Sequence, residues 1–283
     1  MTLLILCLLL CLAAGGGLFV NYLLLTDAAT GFLLQGDALL YYGILAVLVL
    51  VLAVASLRFG AQSKTQRVLA SRGLVLTFSV TAILFFAAAV LVFLDTFFAF
   101  GAGQKLHFFS LTSADLAGFI LPVFFVLGGV WSLLCAMGYA AGKPQKMGSF
   151  GAGFGMTIGL FLFCIKRFVA SPTSIQRILP TLDILSALAV LLLCCAMLRA
   201  VYLPRAASEE KRLFLFGLLA FLFGTCFTGA KLAYLAITGS LTLTAGADLP
   251  LVGMGLVGFA YALHAVHTDR RRPARYTYKR RAH

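Results

Sequence analysis

Four charged residues fall inside or near the ends of apolar stretches, where a charge is costly and therefore points to function. Lys231 lies within the stretch 228–232 of one apolar run, and Asp95, Lys166 and Arg167 lie near the ends of two others. Ionisable side chains in such segments usually mark an ion, proton or substrate site. The four residues predict a polar pocket, in which an Asp95–Lys231 pair would neutralise and so permit burial of both charges.

The same residues have a less specific interpretation. Lys231 lies about seven residues, or roughly 10 Å, below the end of its apolar run at 1.5 Å per residue. A lysine can extend that far along lipid to reach the interface, and the other charges would then form a ring at headgroup level. Gly229 and Ala230 favour the interior position, because small residues permit close contact between helices.

Other kinds of chemistry lack the residues they need. His264 and His267 are the only histidines on an apolar run and lie on the same one, so a bis-histidine haem is not expected. No phosphate loop or helical metal motif is present, and we predict no catalytic residue and no metal ligand. The cysteines form no CxxC pair and are typical of packing residues: Cys7, Cys11, Cys135, Cys164, Cys194, Cys195 and Cys226.

The composition indicates the elements that must position the charges. Hydrophobic residues make up 62% of the 283 residues, charged ones 11%, and the mean hydropathy is +1.04. These values exclude a water-soluble globule, and the +13 net charge lies in short segments rather than on a nucleic-acid-binding surface. Stretches of about 20 apolar residues predict an all-α, polytopic membrane protein with eight transmembrane helices. They lie near 3–26, 38–58, 73–98, 115–140, 150–169, 181–203, 213–238 and 248–267.

The distribution of basic residues predicts the orientation. Seventeen of the 22 lysines and arginines fall in alternate connections and in the tail 268–283. Because basic loops stay in the cytoplasm, both termini are predicted to be cytoplasmic, in a multi-pass protein of the cytoplasmic (inner) membrane. The tail is primarily a topology signal and alternatively binds anionic lipid headgroups. Five cations and six acids remain on the outer side: Lys105, Lys166, Arg167, Arg177 and Lys231, with Asp27, Asp37, Asp95, Asp115, Asp183 and Asp248.

A pattern within the eight-helix domain 1–267 suggests two halves, 1–142 and 143–267. Gly-Leu-Phe at 17–19 precedes Leu-Arg at 57–58, and Gly-Leu-Phe at 159–161 precedes Leu-Arg at 198–199, with nearly equal spacing. Two four-helix bundles of the same orientation would follow, since four spans return the chain to its starting side. A limited apolar alphabet also produces such matches by chance.

From about residue 95 to 235, the chain resembles the membrane anchor subunits of dimethyl-sulfoxide-reductase-type molybdenum enzymes. The first shared feature is Ala-Phe-Gly at 99–101, where the family has His-Leu-Gly at a helix end. Phe-Phe at 124–125 with Gly-Gly at 128–129 and Trp131 then precedes a short basic turn with Lys143 and Lys146. Arg167 followed by Pro172 and Gly-Ala-Lys-Leu at 229–232 complete the match. Ala99 stands in place of the family's histidine, and Lys231 stands where an acid is expected.

The resemblance implies eight spans without haem, arranged as two four-helix bundles. It implies that the chain is a non-catalytic or quinol-oxidising subunit, that menaquinol or another quinol binds near the outer face, and that iron–sulfur and molybdopterin subunits are its partners there. Arg167, Lys231, Lys166 and Asp95 would surround the quinol head group. Two alternatives remain: the same charges bind a small solute in a transporter, or the protein is a non-catalytic sensor or assembly factor.

Overall fold

A computed structural model describes residues 2–26, 38–59, 72–103, 105, 107, 115–141, 149–170, 177–202 and 209–270. Within them, eight helical segments are long and apolar enough to cross a bilayer, and no strand is present. The predicted all-α, eight-span membrane fold is therefore confirmed. The basic loops around Lys64, Lys143 and Arg205, the acids Asp27 and Asp37, and residues 271–283 of the tail lie outside the described residues.

Six spans are uninterrupted α-helices: α1 (Thr2–Leu24), α2 (Ala38–Phe59), α3 (Arg72–Gly101), α4 (Leu116–Ala140), α5 (Phe150–Ala170) and α6 (Ile178–Tyr202). Helix α6 begins three residues earlier than predicted. Pro180 falls in its first turn, where a residue without an N–H group breaks no intrahelical hydrogen bond.

The last two spans contain irregular segments. The seventh consists of α7 (Glu209–Ala220), a π-helix (Phe221–Phe227) and α8 (Thr228–Ile237). The eighth begins with a 3-10 helix (Leu243–Asp248) and continues as α9 (Leu249–Arg270). Because of the 3-10 helix, this span begins at Leu243, five residues before its predicted start.

Two clusters of buried apolar side chains hold the helices together. The first is formed chiefly by α3, α4, α5, α6 and α9, and contains Phe85, Phe125 and Trp131. The second is formed chiefly by α1, α2, α6, α7 and the π-helix, and contains Leu18, Leu52 and Leu222. Each cluster combines helices from residues 1–142 and 143–267, and the duplication of these halves stays a prediction.

The outward faces are apolar as well. Ile44 on α2 is 64% exposed and Ile83 on α3 is 66% exposed. In water these side chains would lose the free energy that burial provides, whereas lipid covers them without such a cost. The faces are consistent with contact between the bundle and a bilayer.

Glycines allow the two irregular spans to approach each other. A Cβ atom on Gly217 would lie 2.7 Å from the carbonyl oxygen of Gly258, and one on Gly224 would lie 2.5 Å from that of Leu251. Helix α9 therefore packs backbone against backbone on α7 and the π-helix, the close approach that small residues permit in membranes. Gly153, in the glycine-rich stretch near the start of α5, similarly admits the side chains of Trp131 and Leu198.

Candidate functional site

The C-terminal turn of α5 carries Arg167 into the bundle. Its guanidinium carbon lies 4.4 Å from the centre of the Phe163 ring, one turn earlier, and its side chain is 14% exposed. One guanidinium nitrogen donates to the carbonyl oxygen of Asp183 at 2.8 Å. The side chain thus spans from its own helix to the start of α6, with the ring stabilising the cation from one side.

Two carboxylates face Arg167 from the adjoining spans. Asp183 lies in the second turn of α6, 3.9 Å from Arg167 between carboxylate oxygen and guanidinium nitrogen. Asp248 ends the 3-10 helix, is 1% exposed and pairs with the other terminal nitrogen of Arg167. Asp183 and Asp248 thus each lie near the start of a span, at the same end of the bundle as Arg167.

Lys231 in α8 completes the group. Its ammonium nitrogen lies 2.6 Å from Oδ2 of Asp183 and 3.1 Å from Oδ2 of Asp248. Arg167, Asp183, Lys231 and Asp248 form what we name the charge quartet, with two positive and two negative charges from four segments. Because a buried charge is tolerated when it is paired, this mutual neutralisation explains how Lys231 can be 82% shielded and face the bundle rather than lipid.

The π-helix lies directly before the segment that carries Lys231. Its wider turn changes the backbone hydrogen bonding, and the carbonyl oxygen of Phe223 accepts bonds from the hydroxyl groups of Ser186 at 2.9 Å and Thr228 at 3.0 Å. Thr225 donates to the carbonyl oxygen of Val252 on α9 at 3.0 Å. These bonds fix the π-helix to α6, which holds Asp183, and to α9, which begins directly after Asp248. Single π-helical turns are frequent at functional sites.

A separate ion pair uses the neighbouring cation of α5. The ammonium nitrogen of Lys166 lies 3.0 Å from Oδ1 of Asp115, which is fully buried. The same carboxylate caps α4 by accepting from the backbone nitrogen of Gly118 at 2.6 Å. Adjacent residues of a helix point about 100° apart. Lys166 therefore pairs with the acid that caps α4, while Arg167 pairs with the acids of α6 and the eighth span.

The structure brings only part of the predicted pocket together. Arg167 and Lys231 share one site, whereas Lys166 belongs to the Asp115 pair. Lys231 pairs with Asp183 and Asp248, and Asp95 takes part in none of the ion pairs of the described residues. The expected Asp95–Lys231 pair is therefore wrong. Asp95 lies on α3, which contributes no charge to the quartet, and two carboxylates at the starts of neighbouring spans are nearer to Lys231.

Asp183 and Asp248 are the site residues that the sequence interpretation missed. Both were placed among the outer acids, and each lies near the start of a span that follows a cation near the end of the preceding one. Sequence-adjacent spans run antiparallel, so these residues meet at one end of the bundle. That spacing was the available signal for the pairing.

Other chemistry finds little support in the described part of the chain. No group of three or more histidine, cysteine, aspartate or glutamate side chains lies there in a position to hold a metal ion. All seven cysteines are free, and five of them are buried, in agreement with their predicted packing role. His264 lies near the end of α9, at the opposite end of that span from Asp248.

Comparison of the chain with protein-family models, curated proteins and solved structures finds no match. The quartet itself shows which kinds of group it can bind. Its two cations offer N–H groups to ligand oxygens, and its two carboxylates accept hydrogen bonds or protons. A molecule with both acceptor and donor oxygens is complementary to such a set.

Proposed function

We propose that this integral membrane protein is a haem-free, quinol-interacting anchor subunit of a molybdenum reductase complex, and that the charge quartet binds the quinol head group. The observation that carries the proposal is the meeting of Arg167 and Lys231 on the same two carboxylates. The family resemblance assigned these two cations, on different spans, to one quinol site. Their convergence supports that assignment.

The quartet has the groups that quinol oxidation requires. A quinol releases two protons and two electrons, and its hydroxyl oxygens change from donors to acceptors as the quinone forms. Asp183 and Asp248 accept the hydroxyl protons, while Arg167 and Lys231 donate to the product oxygens. Asp183 is the more exposed carboxylate, at 24%, so it exchanges protons with the outside first. The electrons pass to an iron–sulfur subunit docked at the outer face.

The partner subunits provide the first test. The full chain, carrying an affinity tag, is purified from its own membranes in mild detergent. We expect an iron–sulfur protein and a molybdopterin protein to co-elute, with an iron content and visible absorbance that the chain alone lacks. The test is repeated with membranes from cells grown under several anaerobic conditions. If the chain elutes without any redox protein in all of them, the result contradicts an anchor role.

The quartet provides the second test, in the purified complex. Lys231→Gln should reduce quinol oxidation at least tenfold, because an uncompensated buried carboxylate replaces a donor to the ligand. Lys105→Gln is the matched control, since Lys105 is exposed and lies outside the quartet. Equal rates in the two variants would remove the quartet from the reaction.

A specific observation favours a second candidate, a small-solute transporter. Lys231 and Asp248 lie on the two spans that contain π-helical and 3-10 segments. Transporters commonly place substrate and coupling-ion groups at interruptions of membrane helices. The test is uptake of small carboxylates and phosphate by liposomes that contain only the purified chain. Uptake that Lys231→Gln abolishes would favour the transporter over the anchor.

A further inference from the structure

Four tyrosines from three helices gather at the end of the bundle that holds the charge quartet. The ring centres of Tyr22 on α1 and Tyr234 on α8 are 5.8 Å apart, and those of Tyr41 and Tyr42 on α2 are 5.9 Å apart. Tyr22 is 3% exposed and belongs to the second apolar cluster, against which the other three pack. We name these residues the tyrosine set.

The tyrosine set is continuous with the quartet. Tyr234 follows Lys231 by three residues, and side chains at this spacing share one face of a helix. The Tyr22 ring packs against Tyr234, and its hydroxyl group lies near enough to Asp183 for the acid's charge to act on it. The tyrosine set is therefore adjacent to the quartet through Tyr22 and Tyr234.

One member of the set has an unused hydroxyl group. The Tyr42 hydroxyl oxygen is buried and makes no hydrogen bond with any part of the chain that the structure describes. A buried polar group without a partner is unfavourable, and such a group in a native protein calls for an explanation. A ligand oxygen that accepts a hydrogen bond from the Tyr42 hydroxyl group would provide that explanation.

We propose that the tyrosine set is the aromatic half of the binding site whose polar half is the quartet, and that the ligand is a planar ring carrying oxygen atoms. This inference deepens the proposed function and rests on it, because it names the residues that select a quinone ring. Aromatic side chains bind a flat ring through edge and face contacts. A small inorganic anion would use the cations alone and leave the Tyr42 hydroxyl group without a partner.

Binding of menadione, a quinone ring without an isoprenoid tail, to the full-length protein in detergent tests the inference. Tyr42→Phe removes only the hydroxyl group and should weaken binding about fivefold, the equivalent of one neutral hydrogen bond of about 1 kcal/mol. Tyr22→Phe should weaken it similarly. Tyr202→Phe, at the end of α6 away from Asp183, is the matched control and should leave binding unchanged. Thermal unfolding of each variant establishes that it is folded.

The outcomes separate the inference from the proposed function. If Lys231→Gln abolishes menadione binding while Tyr42→Phe and Tyr22→Phe bind as tightly as the wild type, the tyrosine set has no part in the site and the inference is overturned alone. If Tyr202→Phe weakens menadione binding as much as Tyr42→Phe does, the inference is also overturned. If the wild type binds phosphate and does not bind menadione, the proposed quinol function fails and the inference fails with it.

Discussion

Single charges inside the bundle are stable only through their partners. Asp248 is 1% exposed and touches both Arg167 and Lys231, so its removal affects two cations at once. A lone buried charge is far more costly than a paired one, because no water replaces the missing partner. The four charges of the quartet therefore depend on one another for stability.

Asp248→Asn should lower the free energy of unfolding by about 3 kcal/mol, since two shielded cations would then share Asp183 alone. Thermal unfolding in detergent, followed by circular dichroism, measures the loss. Asp95→Asn removes an acid from α3 that takes part in no ion pair of the described residues, and should change stability by less than about 0.5 kcal/mol. Equal melting temperatures for the two variants would contradict the coupling of the quartet.

At the scale of elements, the π-helix depends on hydroxyl groups from its neighbours. Ser186 on α6 donates to the carbonyl oxygen of Phe223, and Thr225 ties the π-helix to α9. Without such donors, carbonyl groups that leave the regular helical pattern would be unsatisfied in a medium without water. The hydrogen bonds thus stabilise the irregular turn that precedes Lys231.

Ser186→Ala should destabilise the protein by about 1 kcal/mol, because the carbonyl oxygen of Phe223 loses one of its two side-chain donors. Ser132→Ala is the matched control. Ser132 is equally buried, and its hydroxyl oxygen bonds to no group within the described residues, so its removal should be neutral or slightly stabilising. Chemical denaturation in detergent compares the two. A larger loss of stability in Ser132→Ala than in Ser186→Ala would contradict the role of the Ser186 hydrogen bond in stabilising the π-helix.

The crossing of α7 and α9 yields a second prediction at this scale. In Gly217→Ala the added methyl group would lie 2.7 Å from the carbonyl oxygen of Gly258, and the helices would have to separate. Overpacking of this kind costs about 1–3 kcal/mol. Gly43→Ala on α2 meets no atom within 4 Å and should stabilise the helix slightly. Melting temperatures that change in the same direction would refute the backbone contact.

At the scale of the whole molecule, the ion pairs place specific helix ends together. The end of α5, the start of α6, the first turn of α8 and the 3-10 helix before α9 meet at the quartet. This end belongs to the side with few basic residues, which the charge distribution predicts to face away from the cytoplasm. The quartet and the tyrosine set are thus predicted to lie near the outer surface.

Cysteine labelling tests this orientation in intact cells. A membrane-impermeant maleimide should label Lys105→Cys without permeabilisation and Lys143→Cys only after it, because the two positions lie in connections on opposite sides. The native cysteines lie within apolar spans, and the unsubstituted protein measures their background. The reverse pattern would invert the topology and place the quartet on the cytoplasmic side.

The sequence by itself determined the eight spans, because an apolar stretch of about 20 residues has only a helical way to satisfy its backbone in lipid. It also singled out Arg167 and Lys231, since a cation inside such a stretch is unusual whatever its neighbours are. These inferences depend on local composition, which a single chain displays directly.

Only the tertiary structure decided which charges meet. Asp183 and Asp248, rather than Asp95, neutralise Lys231, and Lys166 turns to Asp115 instead of the quartet. The rotation of each helix about its axis sets these pairings, and helices that are apolar on every face carry no pattern that reveals their rotation. Glycine contacts and the π-helix fix that rotation through packing between distant segments, and the chemistry of the site follows from it.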